Sequence, residues 1–252
     1  MQYVRHLDPS ALDPNDFDAV TLVDTETAWV VAVGVPVGWV RPFPHTHQID
    51  QLYWIIEGEL TIVLDGVEHV AGPNTLVYIP AGVVHKNRND GSVAELHLDF
   101  MVPAPTRTKP ASTPATEDDR GPGTAWLYEL GSASYEPSHV DGFELARIAS
   151  AATGASIVVN AARVGPDSPG TSWHIHTHDQ MYWVLEGAFH LEIADQVHDV
   201  TPGHLVVIPA GVPHRNWNLG PGVERHLAFG LPAPQERGSH IEVSWQVGTP
   251  LA

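Results

Sequence analysis

Hydrophobic residues along this chain fall into short runs with no helical period. Residues 27–33, 52–56, 60–64, 75–79 and 94–100 either alternate apolar with polar or stay apolar throughout. Turn formers such as Asp65-Gly66, Gly72-Pro73-Asn74 and Pro202-Gly203 separate such runs. Short runs bounded by Gly and Pro predict strands, and many short strands predict an all-β barrel or sandwich.

The pattern is written twice. Shifted by 129 positions, residues 45–105 align with 174–234 without a gap, and about 28 of the 61 pairs are identical. HxHxxDQxYWxxEG begins at His45 and again at His174, and IPAGVxHxNxNxG begins at Ile79 and again at Ile208. Asn74 faces Gly203 in this register; both residues suit a positive-φ turn, so the copies agree physically. We therefore expect an N-terminal barrel over residues 1–105, a Pro-rich linker over 106–122 and a C-terminal barrel over 123–252. The tail from His240 alternates and is expected to add a strand.

Composition changes this picture by exclusion. With 12 basic and 30 acidic residues the net charge is −18, which argues against nucleic acid or an anionic membrane as partner. The uncharged stretch of residues 28–40 is too short for a membrane helix and contains Gly34, Pro36 and Gly38. The first sixteen residues carry Arg5, Asp8, Asp13 and Asp16 and no apolar run, unlike a signal peptide. A cytoplasmic location is the default expectation. With no cysteine there is neither a disulfide nor a thiolate metal site.

Histidine is what composition adds. There are 16, and ten form five repeat pairs. Strand side chains alternate faces, so His45, His47 and Gln51 share one face if no bulge intervenes, as do His174, His176 and Gln180. Two imidazoles and a carboxamide turned inward need a partner, because buried polar groups are costly unless satisfied. A divalent metal is such a partner; Zn, Fe, Co, Ni and Mn all accept neutral imidazole. The candidate third imidazole is His85, or His214 in the second copy, each following a rigid Pro-Ala-Gly turn.

These blocks resemble the two sequence motifs of the cupin superfamily: His45, His47, Gln51 and Gly58 with Pro80, Gly82, His85 and Asn89, then His174, His176, Gln180 and Gly187 with Gly203, Pro209, Gly211, His214 and Asn218. Because both halves match, the chain resembles a bicupin. The resemblance implies two tandem double-stranded β-helix (jelly-roll) barrels. In each, a metal would be bound by the HxH pair, the residue at 51/180 and the late histidine. One departure stands out: the family usually has Glu at 51/180. A neutral Gln leaves the metal near +2, which weakens its binding and favours an anionic ligand.

Further candidates surround these positions. Tyr53 and Tyr182 share the parity of the glutamines and are candidates to line the cavity; barrel core is the alternative. Glu95 with His97, and Glu224 with His226, share a strand face and are candidates to orient a metal ligand or carry a proton; a solvated face is the alternative. His178 has no counterpart, since Ile49 stands in its place, and is a candidate substrate contact. The expected activity is metal-dependent chemistry on a small anionic or enolisable molecule, with an Fe-dependent oxygenase slightly ahead of a redox-neutral isomerase or cyclase. A non-catalytic, sugar-type binding protein is the third reading. A homodimer formed through sheet edges is expected.

Overall fold

The predicted runs become strands with small shifts at their ends. In the computed structural model, which describes residues 2–106, 112–116, 118–121, 123–233 and 240–245, Leu60–Leu64 and Thr75–Ile79 are strands as predicted. The run at 52–56 lengthens to Asp50–Glu57 and that at 94–100 moves to Glu95–Val102. Their counterparts Asp179–Glu186 and Glu224–Leu231 behave alike. The turn at Asn74 and Gly203 has φ of 63° and 85°, as the exchange of those two residues predicted.

Two compact units result, one of Asp8–Ser132 and one of Met1–Leu7 with Ala133–Ala252. In the first, a six-stranded sheet runs in the order Trp126–Glu129, Thr75–Ile79, Asp50–Glu57, Glu95–Val102, Trp29–Val35, Asp18–Asp24. Its five-stranded companion runs Thr113–Pro114, His45–Thr46, His85–Arg88, Leu60–Leu64, Val67–Ala71. Val31, Tyr53, Ile55, Ile62 and Val77 are buried in the core shared by the two sheets. The second unit repeats this plan. A seven-stranded sheet centres on Asp179–Glu186 and Glu224–Leu231, and a five-stranded sheet carries His174–His176 and His214–Asn218. Antiparallel pairing throughout, with the two sheets of each unit enclosing a buried apolar core, gives each unit a jelly-roll barrel.

Two short strands cross the expected limits at 105 and 123. Val4–His6 pairs with His204–Ile208 and so belongs to the C-terminal unit, while Trp126–Glu129 pairs with Thr75–Ile79 in the N-terminal one. Each covers a sheet edge that would otherwise present unpaired backbone groups. The expected linker behaves similarly where it is described. Thr113–Pro114 pairs with His45–Thr46, and Gly121 backs closely onto Gly82 and Val83; residues 107–111, 117 and 122 lie outside the described residues. The tail does add a strand, His240–Glu242, beside His174–His176; residues 246 and 247 of the alternating stretch are outside the description.

Candidate metal centres

Cross-strand pairing sets the geometry. His45 stands directly opposite His85 on the neighbouring antiparallel strand, and His174 stands opposite His214. Alternation brings His47 and His176 to the same side. In each barrel the three imidazoles offer ligand atoms that all lie within 4.8 Å of one another.

The tautomers suit a metal. His85 Nδ1 lies 3.0 Å from Val83 O, His174 Nδ1 2.8 Å from Ser172 O and His214 Nδ1 2.9 Å from Val212 O. Donation to these carbonyls puts the lone pair on Nε2. His85 Nε2, both ring nitrogens of His47 and both of His176 are buried with no hydrogen-bond partner. Unpartnered buried nitrogens are costly, and a shared cation satisfies them together. In the C-terminal barrel His214 Nε2 faces Gln180 Oε1 at 2.9 Å; with Nδ1–H committed to Val212, two acceptors confront each other, and a cation between them resolves the conflict. The donor sets therefore fit a metal.

Burial holds these imidazoles neutral, reinforced at His45, His47, His174 and His176 by repulsion from other histidines of the triad. It lowers His45 and His176 to about 2, His47 and His174 to about 3, and His85 and His214 to about 4. Arg41 adds to this repulsion at all three N-terminal histidines.

Around the triads the expected neighbours are in place. Tyr53 OH donates to Gln51 Oε1 at 3.2 Å, and Tyr182 OH to Gln180 Oε1 at 2.7 Å. The Glu/His pairs are buried, which excludes a solvated face: His97 Nδ1 lies 2.9 Å from Glu95 Oε2, and His226 Nδ1 the same distance from Glu224 Oε2. Burial disfavours a charged His97, but the Glu95 carboxylate outweighs it and raises its pKa. His178 is buried 5.0 Å, ring to ring, from His176 and outside the triad. It packs where a side chain at Gly230 would intrude, 2.8 Å from its Nε2. The N-terminal copy has Ile49 and Met101 at these two positions.

Three residues escaped the sequence reading. Asp99, replaced by Ala228 in the other copy, accepts a 2.7 Å bond from Gln51 Nε2 and so turns the amide oxygen away from itself. Burial pushes Asp99 up to about 7, against the pull of His97 and of the Gln51 bond. Arg41 lines an N-terminal cavity of about 210 Å³ together with His45, His47, Gln51, Tyr53 and Asp99. His240, on the added strand, stacks on His174 at 4.3 Å. Beside it lies a cleft of about 250 Å³ lined by His139, Gly170, Ser172, His240 and Glu242. The lack of a counterpart to Asp99 or Arg41 in the second copy was the visible signal; His240 depends on a pairing that sequence does not show.

Two jelly-roll barrels, each with an imidazole triad poised for a metal, define a duplicated metal-site protein. The chain belongs to the Cupin domain family, whose model matches residues 31–102 and again 161–227. Among solved structures it is similar to a salicylate 1,2-dioxygenase from Pseudaminobacter salicylatoxidans, at 14% identity and a TM-score of 0.69, over 85% of this chain and 76% of that one. It is also similar to a putative glyoxylate-induced protein from Pseudomonas aeruginosa, at 17% identity and 0.65, over 88% and 82%. A Bacillus subtilis oxalate decarboxylase with Mn(II) centres matches at 14% and 0.67, over 96% and 79%. At these identities the likeness is one of fold. No curated protein matches in sequence. No helix among the described residues is long and apolar enough to cross a membrane.

Proposed function

We infer that the protein is a metal-dependent enzyme acting on a small anionic or enolisable organic molecule. One divalent ion would sit in each barrel, held by His45, His47, His85 and Gln51, and by His174, His176, His214 and Gln180. The observation that carries this reading is the convergence of buried, unpartnered imidazole nitrogens in both copies. Bound there, the ion supplies a Lewis acid for a chelated oxygen and, if iron, a redox centre for dioxygen chemistry.

The chain's own residues prepare the site. Asp99 and Tyr53 orient Gln51, the carbonyls of Val83 and Val212 fix the late histidines, and Glu95 and Glu224 lock His97 and His226. An all-neutral ligand set tolerates an anionic substrate together with dioxygen, which favours iron and an oxygenase over Mn, Ni, Co and Zn. The dioxygenase among the similar folds agrees with that preference.

A second reading has its own observation. Asp99, held near neutrality in the cavity wall, can take or return a proton, as an isomerase or cyclase requires. The partners in either case are a small-molecule substrate and, through an open sheet edge such as Val67–Ala71, a second copy of the chain.

Metal analysis tests the inference. The purified protein is expected to hold close to two ions per chain, and His45→Ala with His174→Ala to lose them. Unchanged metal content in that double variant overturns the ligand assignment. Oxygen uptake matched to substrate loss marks the oxygenase; turnover without oxygen on Zn or Co marks the isomerase or cyclase; binding without turnover marks a binding protein.

A further inference from the structure

Duplication makes the two barrels comparable position by position, and around the triads they differ in charge. Arg41 lies four residues before His45, and its backbone N–H donates to Asn87 O at 3.0 Å, which ties it to the strand that carries His85. Its guanidinium makes no hydrogen bond or ion pair among the described residues, yet it lines the same cavity as His45 and His47. In the second copy the equivalent hydrogen bond, to Asn216 O, is made by the N–H of Thr171, three residues before His174, so Thr171 stands where Arg41 does. There the side chain is short and neutral, and its Oγ1 accepts from Asn216 N–H at 3.0 Å. The C-terminal barrel thus presents no arginine at this place. Its nearby cleft offers His139, His240 and Glu242 instead.

The rest of the N-terminal cavity sharpens the contrast. Trp29, Val31, Val33 and Met101 form apolar walls, and Asp99, the one carboxylate among the described lining residues, is bonded to Gln51 and not to a cationic side chain. With a divalent ion on the triad, Arg41 leaves an excess of positive charge in a small, partly apolar chamber. A bidentate guanidinium is matched by a carboxylate, and about 210 Å³ holds roughly seven water volumes, enough for one ring or a short chain.

We propose that Arg41 is the carboxylate anchor of the N-terminal barrel, making that barrel the one that selects a small organic acid with an apolar body, while the C-terminal barrel does not bind such an acid. This rests on the metal-dependent reading above, deepening it by naming a substrate class and dividing the two sites between different tasks.

The test is calorimetric titration of the metal-loaded full chain with three probes: benzoate, benzamide, which lacks the charge, and acetate, which lacks the apolar body. One benzoate site per chain is expected, with benzamide and acetate each at least about 10-fold weaker. R41A should weaken benzoate by about 10–100-fold, the range of a lost charge-assisted contact, and bring benzoate and benzamide together; R41K should recover part of the difference. Two equivalent benzoate sites, no saturable benzoate binding, or equal benzoate affinity in R41A each overturns the anchor. Metal content on the same samples separates the two claims. Arg41-dependent benzoate binding by protein that never holds metal sinks the metal reading and leaves the anchor standing. Two ions per chain with Arg41-independent binding does the reverse.

Discussion

Acidifying the metal-free protein should unfold the C-terminal barrel first. An imidazole whose folded pKa lies below its unfolded value of about 6.5 takes up a proton only in the unfolded chain between those two values. Its contribution to stability therefore falls as pH drops through 6.5, and goes on falling down to the folded value, here about 2 to 4 for the six triad histidines. Between about pH 7.5 and 5.5 each costs about 1.4 kcal/mol, or about 4 kcal/mol per barrel. Asp99 runs the other way. Its folded pKa of about 7 lies above the unfolded 3.8, so its burial destabilises near neutrality, and protonation returns about 2 kcal/mol over the same window. That relief reaches only the N-terminal barrel, since Ala228 replaces Asp99 in the other. The net losses are about 2 and about 4 kcal/mol, large beside a total stability of about 5–15 kcal/mol. At roughly 4 °C per kcal/mol, the C-terminal transition should drop by about 16 °C and the N-terminal by about 8 °C. Scanning calorimetry of chelator-stripped protein at the two pH values reads both. Transitions that move less than about 3 °C refute the reasoning, as does an undiminished acid loss in a His174→Ala, His176→Ala, His214→Ala variant.

Two other outcomes are expected. Asn89 is fully buried; its Nδ2 donates to Val35 O and Val93 O at 2.8 and 2.9 Å, and Gly91 N–H donates to its Oδ1 at 2.9 Å. Asn89→Ala strands all three groups and should cost about 2–4 kcal/mol in urea unfolding; a loss under about 1 kcal/mol would show that water replaces the side chain. Asp99→Ala frees the Gln51 amide and should weaken the N-terminal ion by about 10–100-fold. Titration against a competing chelator should then show one tight and one weakened step where the parent protein shows two closer ones, and unchanged steps would remove Asp99 from the support of the site.

Much of the molecule was legible because duplication amplifies whatever both copies need. The strands around Gln51 and Gln180, the two triads and the tyrosines beside the amides all recur, so self-comparison found them. The same method is blind to positions where the copies part. Arg41, whose place Thr171 takes, and Asp99 facing Ala228 look like drift in an alignment, and only the cavity shows that they change its charge. Strand parity placed Glu95 and His97 on one face but could not say whether that face was wet. His240 reaches His174 by pairing across more than sixty positions, a tertiary choice with no local trace. The expected boundaries failed for a related reason: the edge that Val4–His6 covers belongs to a strand at the other end of the chain.

That edge pairing carries a cost in time. Val4 pairs with Val206, 202 positions later. At about 5–20 residues per second of synthesis, the segment waits roughly 10–40 s before its partner strand exists. Meanwhile the N-terminal unit, bounded by Asp8 and Ser132, is fully made and able to fold without it. The C-terminal barrel alone is edged by a segment older than all the rest of it, so its first strand to be made must wait for one made near the end.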